Sequence, residues 1–366
     1  KPADGSPILH LSQDIVLGCY FLTYIRPEFE EGKDYKAPII SSTQEAEAAY
    51  QKGDLSLQQP IITLVDGKRI ETTYGRLIFN TALPDGIPFQ NKAMDSKSLK
   101  SVMALAFDKF EAAGAAKVAN ELKRLGFEWA TTSGLSTGMD DYADVKNLPS
   151  LIEEGEVKVA EIDQQFKDGL LTAEEKRRLT VEAWKAVDRK ISGAIQEQFK
   201  RIDSSMEMAA ISGARGSIGN FKNVTGMKGI VVDAVGREIE LPIRNNYKTG
   251  FNPVEYFIDS SAARKGLIDT ALKTADAGYL TRRMVDIAQD IFTVEGESED
   301  PGFSIYRKEA EEIGITFASR LEGRFLAADL KFGTTKLKAG DFITKELASE
   351  IEAAEEVEEV IPLDIS

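Results

Sequence analysis

Of 366 residues, one is cysteine (Cys19) and one is histidine (His10). A single thiol excludes an intrachain disulfide and any cysteine-cluster zinc site within the chain. A single imidazole excludes a His-rich metal site. It leaves a serine or cysteine triad only His10, around which no strong motif stands. No apolar run approaches the ~18 residues of a membrane span. No charged-then-apolar leader follows Lys1. The scarce cysteine and the missing leader point to a reducing cytoplasm, with no membrane partner. What is present is 42% hydrophobic and 29% charged, enough for two or three domains with real cores. The net charge of −15 argues, taken whole, against general nucleic-acid binding.

That acidity is regional. From Val294 onward there are 18 Asp/Glu against 8 Lys/Arg. Met208 to Ile230 carries Arg215, Lys222 and Lys228 and no acid, so the middle of the chain can face phosphates. The last residues, Val360 to Ser366, read as the middle of a strand. Together with the start at Lys1, they suggest a piece of a larger chain.

Periodicity predicts a helix-rich, multidomain α+β fold. Ile61–Val65 and Arg69–Thr73 flank Asp66-Gly67, a hairpin signal. Gly75–Asn80 is a further candidate strand, and Leu83–Gly86 is turn chemistry. Leu99, Val102, Met103 and Phe107 fall at helical spacing, as does the run Ala112–Leu125. A polar loop follows, Thr131 to Asp141. Two helices, Leu148 to Phe166 and Thr172 to about Ile202, form an antiparallel hairpin around Lys167–Leu171. The second opens on a capping box, Thr172 to Glu175. Its stripe of Leu179, Ala183, Val187, Ile191 and Ile195 can face Val157, Ile162 and Phe166. Met206–Gly229 reads as a glycine-rich basic loop, and Ile230–Leu241 as a hairpin. Pro253 opens a helix of up to about 40 residues, with Gly266 and Gly278 as its weak points.

Three stretches carry a resemblance: Ser212-Gly213-Ala214-Arg215-Gly216-Ser217, then Gly226-Met227-Lys228-Gly229, then the long run Ala263 to Arg283, ARKGLIDTALKTADAGYLTRR. They resemble the largest catalytic subunit of multisubunit RNA polymerase, in its bacterial β′ form. The first is similar to the F-loop and the last to the bridge helix. The likeness extends from Ser12 to about Val294. Ser12–Gly18 resembles the segment downstream of the catalytic aspartate motif, Ser133–Asp141 the loop bordering the secondary channel, and the helical hairpin the rim helices of that channel.

The resemblance implies three parts. Residues 1–147 are a mixed α/β pore or secondary-channel domain. Residues 148–248 are a funnel domain with rim hairpin and F-loop. Residues 249–366 are the bridge helix and the start of a small, β-containing cleft or jaw region. It implies template-directed RNA synthesis by the parent enzyme, with Lys273, Thr274, Ala275, Gly278, Tyr279, Arg282 and Arg283 positioning template and nucleotide. Small Thr274 and Ala275 allow close approach, and the cations can meet phosphates. Ser212, Gly213, Arg215 and Gly216 shape the F-loop. Glu174, Arg177, Arg178, Lys185, Asp188 and Arg189 are candidates for docking secondary-channel factors of the Gre type, although Trp184–Arg189 is one residue shorter than the common bacterial form. Implied partners are the β, α and ω subunits, template DNA and RNA. The alternative function is a non-catalytic docking platform for such factors. Composition alone gives blander readings: a structural helix, a basic turn, a solvated charged face.

The family's magnesium motif, a triple-aspartate run, is not in this sequence, so the resemblance places Mg2+ ligands outside this chain and no catalytic residue within it. The family's zinc site usually takes a cysteine after the bridge helix. Glu295 to Asp300 has none, which puts zinc in doubt. Asp140 and Asp141 read as caps or salt-bridge partners before metal ligands. His10 and Cys19 have no expected catalytic role.

Overall fold

The computed structural model describes residues 8–29, 35–65, 67–199, 204–292, 303–333, 335–354 and 357–362. They fall into two compact units, Leu9–Thr274 and the residues from Ala275 onward with Ile8, so the boundary falls within the last long helix. The fold is helix-rich α+β, with twelve α-helices and three two-stranded sheets among the described residues. No described helix is long and apolar enough to cross a membrane.

The first unit begins with α1 (Asp14–Thr23), α2 (Thr43–Lys52), β1 (Pro60–Val65), β2 (Lys68–Thr73), α3 (Tyr74–Thr81) and α4 (Ser96–Thr132). The predicted hairpin forms: β1 and β2 pair antiparallel, with Val65 opposite Lys68. Asp66 of its turn lies outside the described residues. The candidate strand at Gly75–Asn80 is instead α3. Thr73 caps it by accepting the Arg76 N–H, and Tyr74, Leu77 and Phe79 are buried. A cap just ahead of a run with one β-branched residue outweighs a weak strand propensity.

α1 and α4 approach closely where two glycines meet. A Cβ on Gly18 would stand 1.8 Å from the Gly126 carbonyl oxygen. Around that crossing Val16, Cys19, Leu22, Leu99, Met103 and Leu122 form the core. The two helical runs predicted between Leu99 and Leu125 are present, and α4 breaks between them at Glu111 (φ 55°, ψ −168°).

The helical hairpin is α5 (Leu148–Lys167) and α6 (Ala173–Gln198), and the capping box at Thr172 and Glu175 is present. The end of α6 expected near Ile202 falls outside the described residues. The contact stripe holds on α6 at Val187, Ile191 and Ile195 and differs from the expected one on α5. On α6, Trp184, Val187, Ile191 and Ile195 are buried, and Leu179 is half-buried. On α5 the partners are Leu151, Ile152, Gly155 and Val159, whereas Val157 and Phe166 are exposed. Gly155 causes the shift: with no side chain, it lets the Trp184 ring lie against the α5 backbone.

Met206–Gly229 is not a plain loop. It contains α7 (Ser205–Ile211) and α8 (Ile218–Thr225), each opened by a serine cap, with a short turn between them. The expected hairpin after Gly229 is an irregular ribbon with bridges at Gly229–Ile243 and Val232–Glu238. Asp233 holds its turn, accepting N–H bonds from Val235 and Arg237. Then comes α9 (Pro253–Ala288), 36 residues and roughly 54 Å at 1.5 Å per residue.

The second unit contains β3 (Ile305–Tyr306), α10 (Arg307–Ile313), α11 (Phe317–Leu321), β4 (Leu330–Phe332), β5 (Thr335–Leu337), α12 (Lys345–Ala353) and β6 (Glu359–Val360). β3 pairs with β6 and β4 with β5, both antiparallel, over a core of Ile305, Phe317, Leu321, Leu326, Ile343 and Ile351. The expected β-containing C-terminal part is therefore present. Arg307 holds it together, donating to the carbonyls of Ile351, Glu352, Ala354 and Val357. The cysteine-free run Glu295–Asp300 and the final residues 363–366 lie outside the described residues.

Candidate functional site

α9 starts from a polar clamp that sequence reading missed. Asn252 and Glu255 cap each other: the Asn252 side-chain oxygen accepts the Glu255 N–H (2.9 Å), and the Glu255 carboxylate accepts the Asn252 N–H (3.2 Å). The Asn-x-x-Glu spacing before an apolar run carried that signal. Glu255 also accepts the backbone N–H groups of Arg244 (2.8 Å) and Asn245 (3.3 Å) and the Asn245 side-chain amide (2.7 Å). Burial raises the pKa of this carboxyl, but the bonds from Asn245, Asn252 and Arg244 together hold it below the ordinary glutamate value.

One turn further, Asp259 is 8% exposed. Tyr247 donates its hydroxyl to one carboxylate oxygen (3.2 Å), and Lys228 stands 3.3 Å from the other. Lys228 also donates to the Tyr247 hydroxyl (2.6 Å) and lies over its ring. Lys265 reaches the Ala234 carbonyl at the ribbon turn (3.3 Å). No sequence pattern links Lys228, Tyr247 and Asp259, because the chain brings them together only by folding.

Beyond Lys265 the helix changes character. From Leu272 to Phe292 every residue is exposed, including Leu272, Tyr279, Leu280 and Met284. At about 100° per residue, Thr274, Ala275, Gly278, Tyr279, Arg282 and Arg283 share one half of the α9 surface. Lys273 falls on the other side, 3.9 Å from Asp269. Thr274 gives its hydroxyl proton to the Thr270 carbonyl (2.7 Å), which leaves its methyl group as the outward feature. Arg283 lies over the Tyr279 ring at 4.5 Å, and Arg282 is 4.0 Å from Asp286. Gly278 has no atom within 4 Å of where a Cβ would stand, and the helix runs through it unbroken. Thr274, Ala275, Gly278, Tyr279, Arg282 and Arg283 offer two arginines, a tyrosine ring and small residues, and no carboxylate, imidazole or thiol.

Ser212, Gly213, Arg215 and Gly216 lie in the single turn between α7 and α8. Ser212 is fully buried; its carbonyl accepts the Ser96 N–H (2.9 Å) and its hydroxyl the Ala214 N–H (3.3 Å). Gly213 and Gly216 have φ of 74° and 88°, values open to glycine at little cost. Arg215 is exposed and has no carboxylate partner among the described residues.

The rim residues divide. Arg177 donates to the Glu238 carbonyl (2.7 Å), Lys185 pairs with Glu238 (2.5 Å) and Asp188 with Lys222 (2.6 Å), so these three join α6 to the ribbon and to α8. Glu174, Arg178 and Arg189 are exposed, as is Leu170 at the hairpin tip. Asp141 is a local cap, accepting the Gly138 N–H (2.6 Å). Cys19 is buried, and burial pushes its thiol pKa up to about 12. His10 is exposed, ahead of α1. Among the described residues no three His, Cys, Asp or Glu side chains cluster to hold a metal.

The chain matches the family model of RNA polymerase Rpb1 domain 3 over residues 1–142 and that of Rpb1 domain 5 over residues 250–305. It is 35% identical over 383 aligned residues to the DNA-directed RNA polymerase subunit β′ of Roseiflexus castenholzii, covering 90% of this chain and 25% of the relative. Against the same subunit of Pelotomaculum thermopropionicum it is 36% identical, covering 97% of this chain and 30% of the relative. Against that of Desulforudis audaxviator it is 37% identical, covering 97% and 31%. The chain thus spans between a quarter and a third of the length of these curated relatives.

Proposed function

The chain belongs to the family of the largest subunit of DNA-directed RNA polymerase, β′ in bacteria, and on that footing we propose that it positions nucleic acid in the active centre of such an enzyme. The reaction is template-directed nucleotidyl transfer in the cytoplasm. The partners are template DNA, RNA and the β, α and ω subunits. Residues 1–147 form part of the secondary channel, residues 148–248 its funnel, and α9 the bridge across the cleft.

The observation that carries this reading is the exposed half of α9. A helix whose apolar and cationic residues stand exposed along its length offers a surface for something else to cover. Thr274 and Ala275 let a base pair approach, and Arg282 and Arg283 attract phosphates. The Ser212–Gly216 turn, by the family resemblance, has a shaping role and carries no proton-transfer group. On the family resemblance, the magnesium ligands are assigned to other parts of the enzyme; among the described residues no three His, Cys, Asp or Glu side chains cluster to hold a metal. Zinc has no ligand set among the described residues either. For secondary-channel factors of the Gre type, the available surface is Glu174, Arg178 and Arg189 with Leu170. Family membership favours a segment of the polymerising subunit over a free-standing docking platform.

The test uses polymerase assembled with a full-length β′ subunit carrying this segment. Arg282→Ala is expected to slow primer extension at least tenfold, while the 366-residue chain alone extends nothing. Unchanged extension by the variant, or extension by the chain alone, overturns the assignment.

A further inference from the structure

Only two α9 residues are buried, and both are carboxylates, Glu255 and Asp259. An ordinary amphipathic helix buries apolar side chains and leaves its acids in water. Burying a carboxylate is unfavourable unless hydrogen bonds and charge offset it. Here both are supplied by one short strip, residues 244–247, together with Lys228. The same strip closes the end of α8. Asn246 donates to the Thr225 (3.1 Å) and Gly226 (2.9 Å) carbonyls, Tyr247 N–H to Asn223 (3.1 Å) and Lys248 N–H to Val224 (3.0 Å). The end of α8, which begins at the Ser212–Ser217 turn, and the start of α9 are thus fastened to a common support.

The kind of contact matters. Apolar packing is non-directional and tolerates sliding, whereas hydrogen bonds and close ion pairs fix distance and angle. Two such fixings one turn apart, at Glu255 and Asp259, set both the tilt and the rotation of a helix. Asp259 is the finer of the two. Its buried Oδ1 accepts no aligned hydrogen bond and is balanced only by the Lys228 charge.

We propose that Glu255 and Asp259, the latter through Lys228, are positioning residues that set the direction in which α9 leaves the 244–247 strip. This rests on the reading of α9 as an active-centre helix. Its consequence is specific: loosening the clamp misaligns the α9 surface and slows nucleotide addition without weakening nucleotide binding.

The experiment measures single-nucleotide addition by polymerase assembled with full-length β′ carrying Asp259→Asn, Lys228→Met, both changes, or Lys228→Arg. The expected result is a maximal rate about tenfold lower for each of the first two, with KM for nucleotide within twofold of wild type. The double variant should be no slower than either single one, because both remove the same contact. Lys228→Arg, which keeps the charge, should stay near wild type. Lys228→Met, whose side chain lies at the rim of the clamp, serves alone if Asp259→Asn assembles poorly. Rates within twofold of wild type, or additive losses in the double variant, overturn the proposal. If Arg282→Ala slows the same enzyme while the clamp variants do not, the positioning role alone fails. If none slows it, the active-centre reading fails too.

Discussion

Gly155 on α5 lies so close to Trp184 on α6 that a Cβ placed on it would stand 2.9 Å from the indole ring and 2.8 Å from a Val187 methyl. The helical hairpin is therefore set by the absence of one side chain. Gly155→Ala gains helix propensity worth roughly 1 kcal/mol. It also forces ring and backbone apart, at a cost of about 1–3 kcal/mol. The clash should win. A urea midpoint at or above wild type would contradict the close contact.

Glu111 sits at φ 55°, ψ −168°, a region that glycine enters freely and side chains rarely do. Its side chain is exposed, so little packing is lost on removing it. Glu111→Gly should raise stability by about 1 kcal/mol, despite the larger unfolded-state entropy of glycine. Glu111→Ala, which keeps a Cβ, should not. Thermal unfolding of both variants separates strain relief from side-chain loss.

The Glu255 carboxyl is held below the ordinary glutamate value, with the bonds from Asn245, Asn252 and Arg244 outweighing its burial. A depressed folded pKa contributes stability above the unfolded value, about 4.3, and loses it as pH falls through the folded value. At pH 7 Glu255→Gln should be less stable than wild type by about 1–3 kcal/mol, because an amide nitrogen would face backbone donors. That gap should close as the pH falls through the depressed folded value. A gap constant from pH 7 to 2.5 would show that ionisation of Glu255 is not involved.

Cys19 is buried between α1 and α4, beside the Leu122 carbonyl, with its thiol pKa pushed up to about 12. The thiolate is the reactive form. A thiol reagent at pH 8 should leave the folded chain unmodified and label it fully in denaturant. Because the raised pKa keeps the thiol neutral, its contribution to stability is complete below about 9 and is lost as pH rises toward 12. Fast labelling of the folded chain would mean that the α1–α4 contact opens readily.

Local signals were legible where a side chain acts within a few residues of itself. The Thr172–Glu175 box, the turn at Asp66-Gly67 and the proline at the start of α9 predict their elements, because caps and turns are satisfied by near neighbours. The resemblance of Ala263–Arg283 was legible for the same reason, as an unbroken run. Reading failed where two segments decide together. Gly75–Asn80 looks extended until Thr73 caps it and α1 packs against it. Met206–Gly229 looks like loop because its two helices are short and depend on serine caps. Arg177, Lys185 and Asp188 look like free surface charge until the ribbon and α8 lie beside them.

By itself the sequence determined the helical composition, the family, and the long helix opened by Pro253. Helical period and motif are properties of contiguous residues. Only the tertiary structure decided that α9 is fastened by Glu255 and Asp259, that Lys228 and Tyr247 meet there, and that three of six rim charges are engaged within the chain. Those partners lie from 10 to 61 residues apart in sequence. Chain closure and directional bonding bring them together, and neither leaves a periodic trace in the sequence.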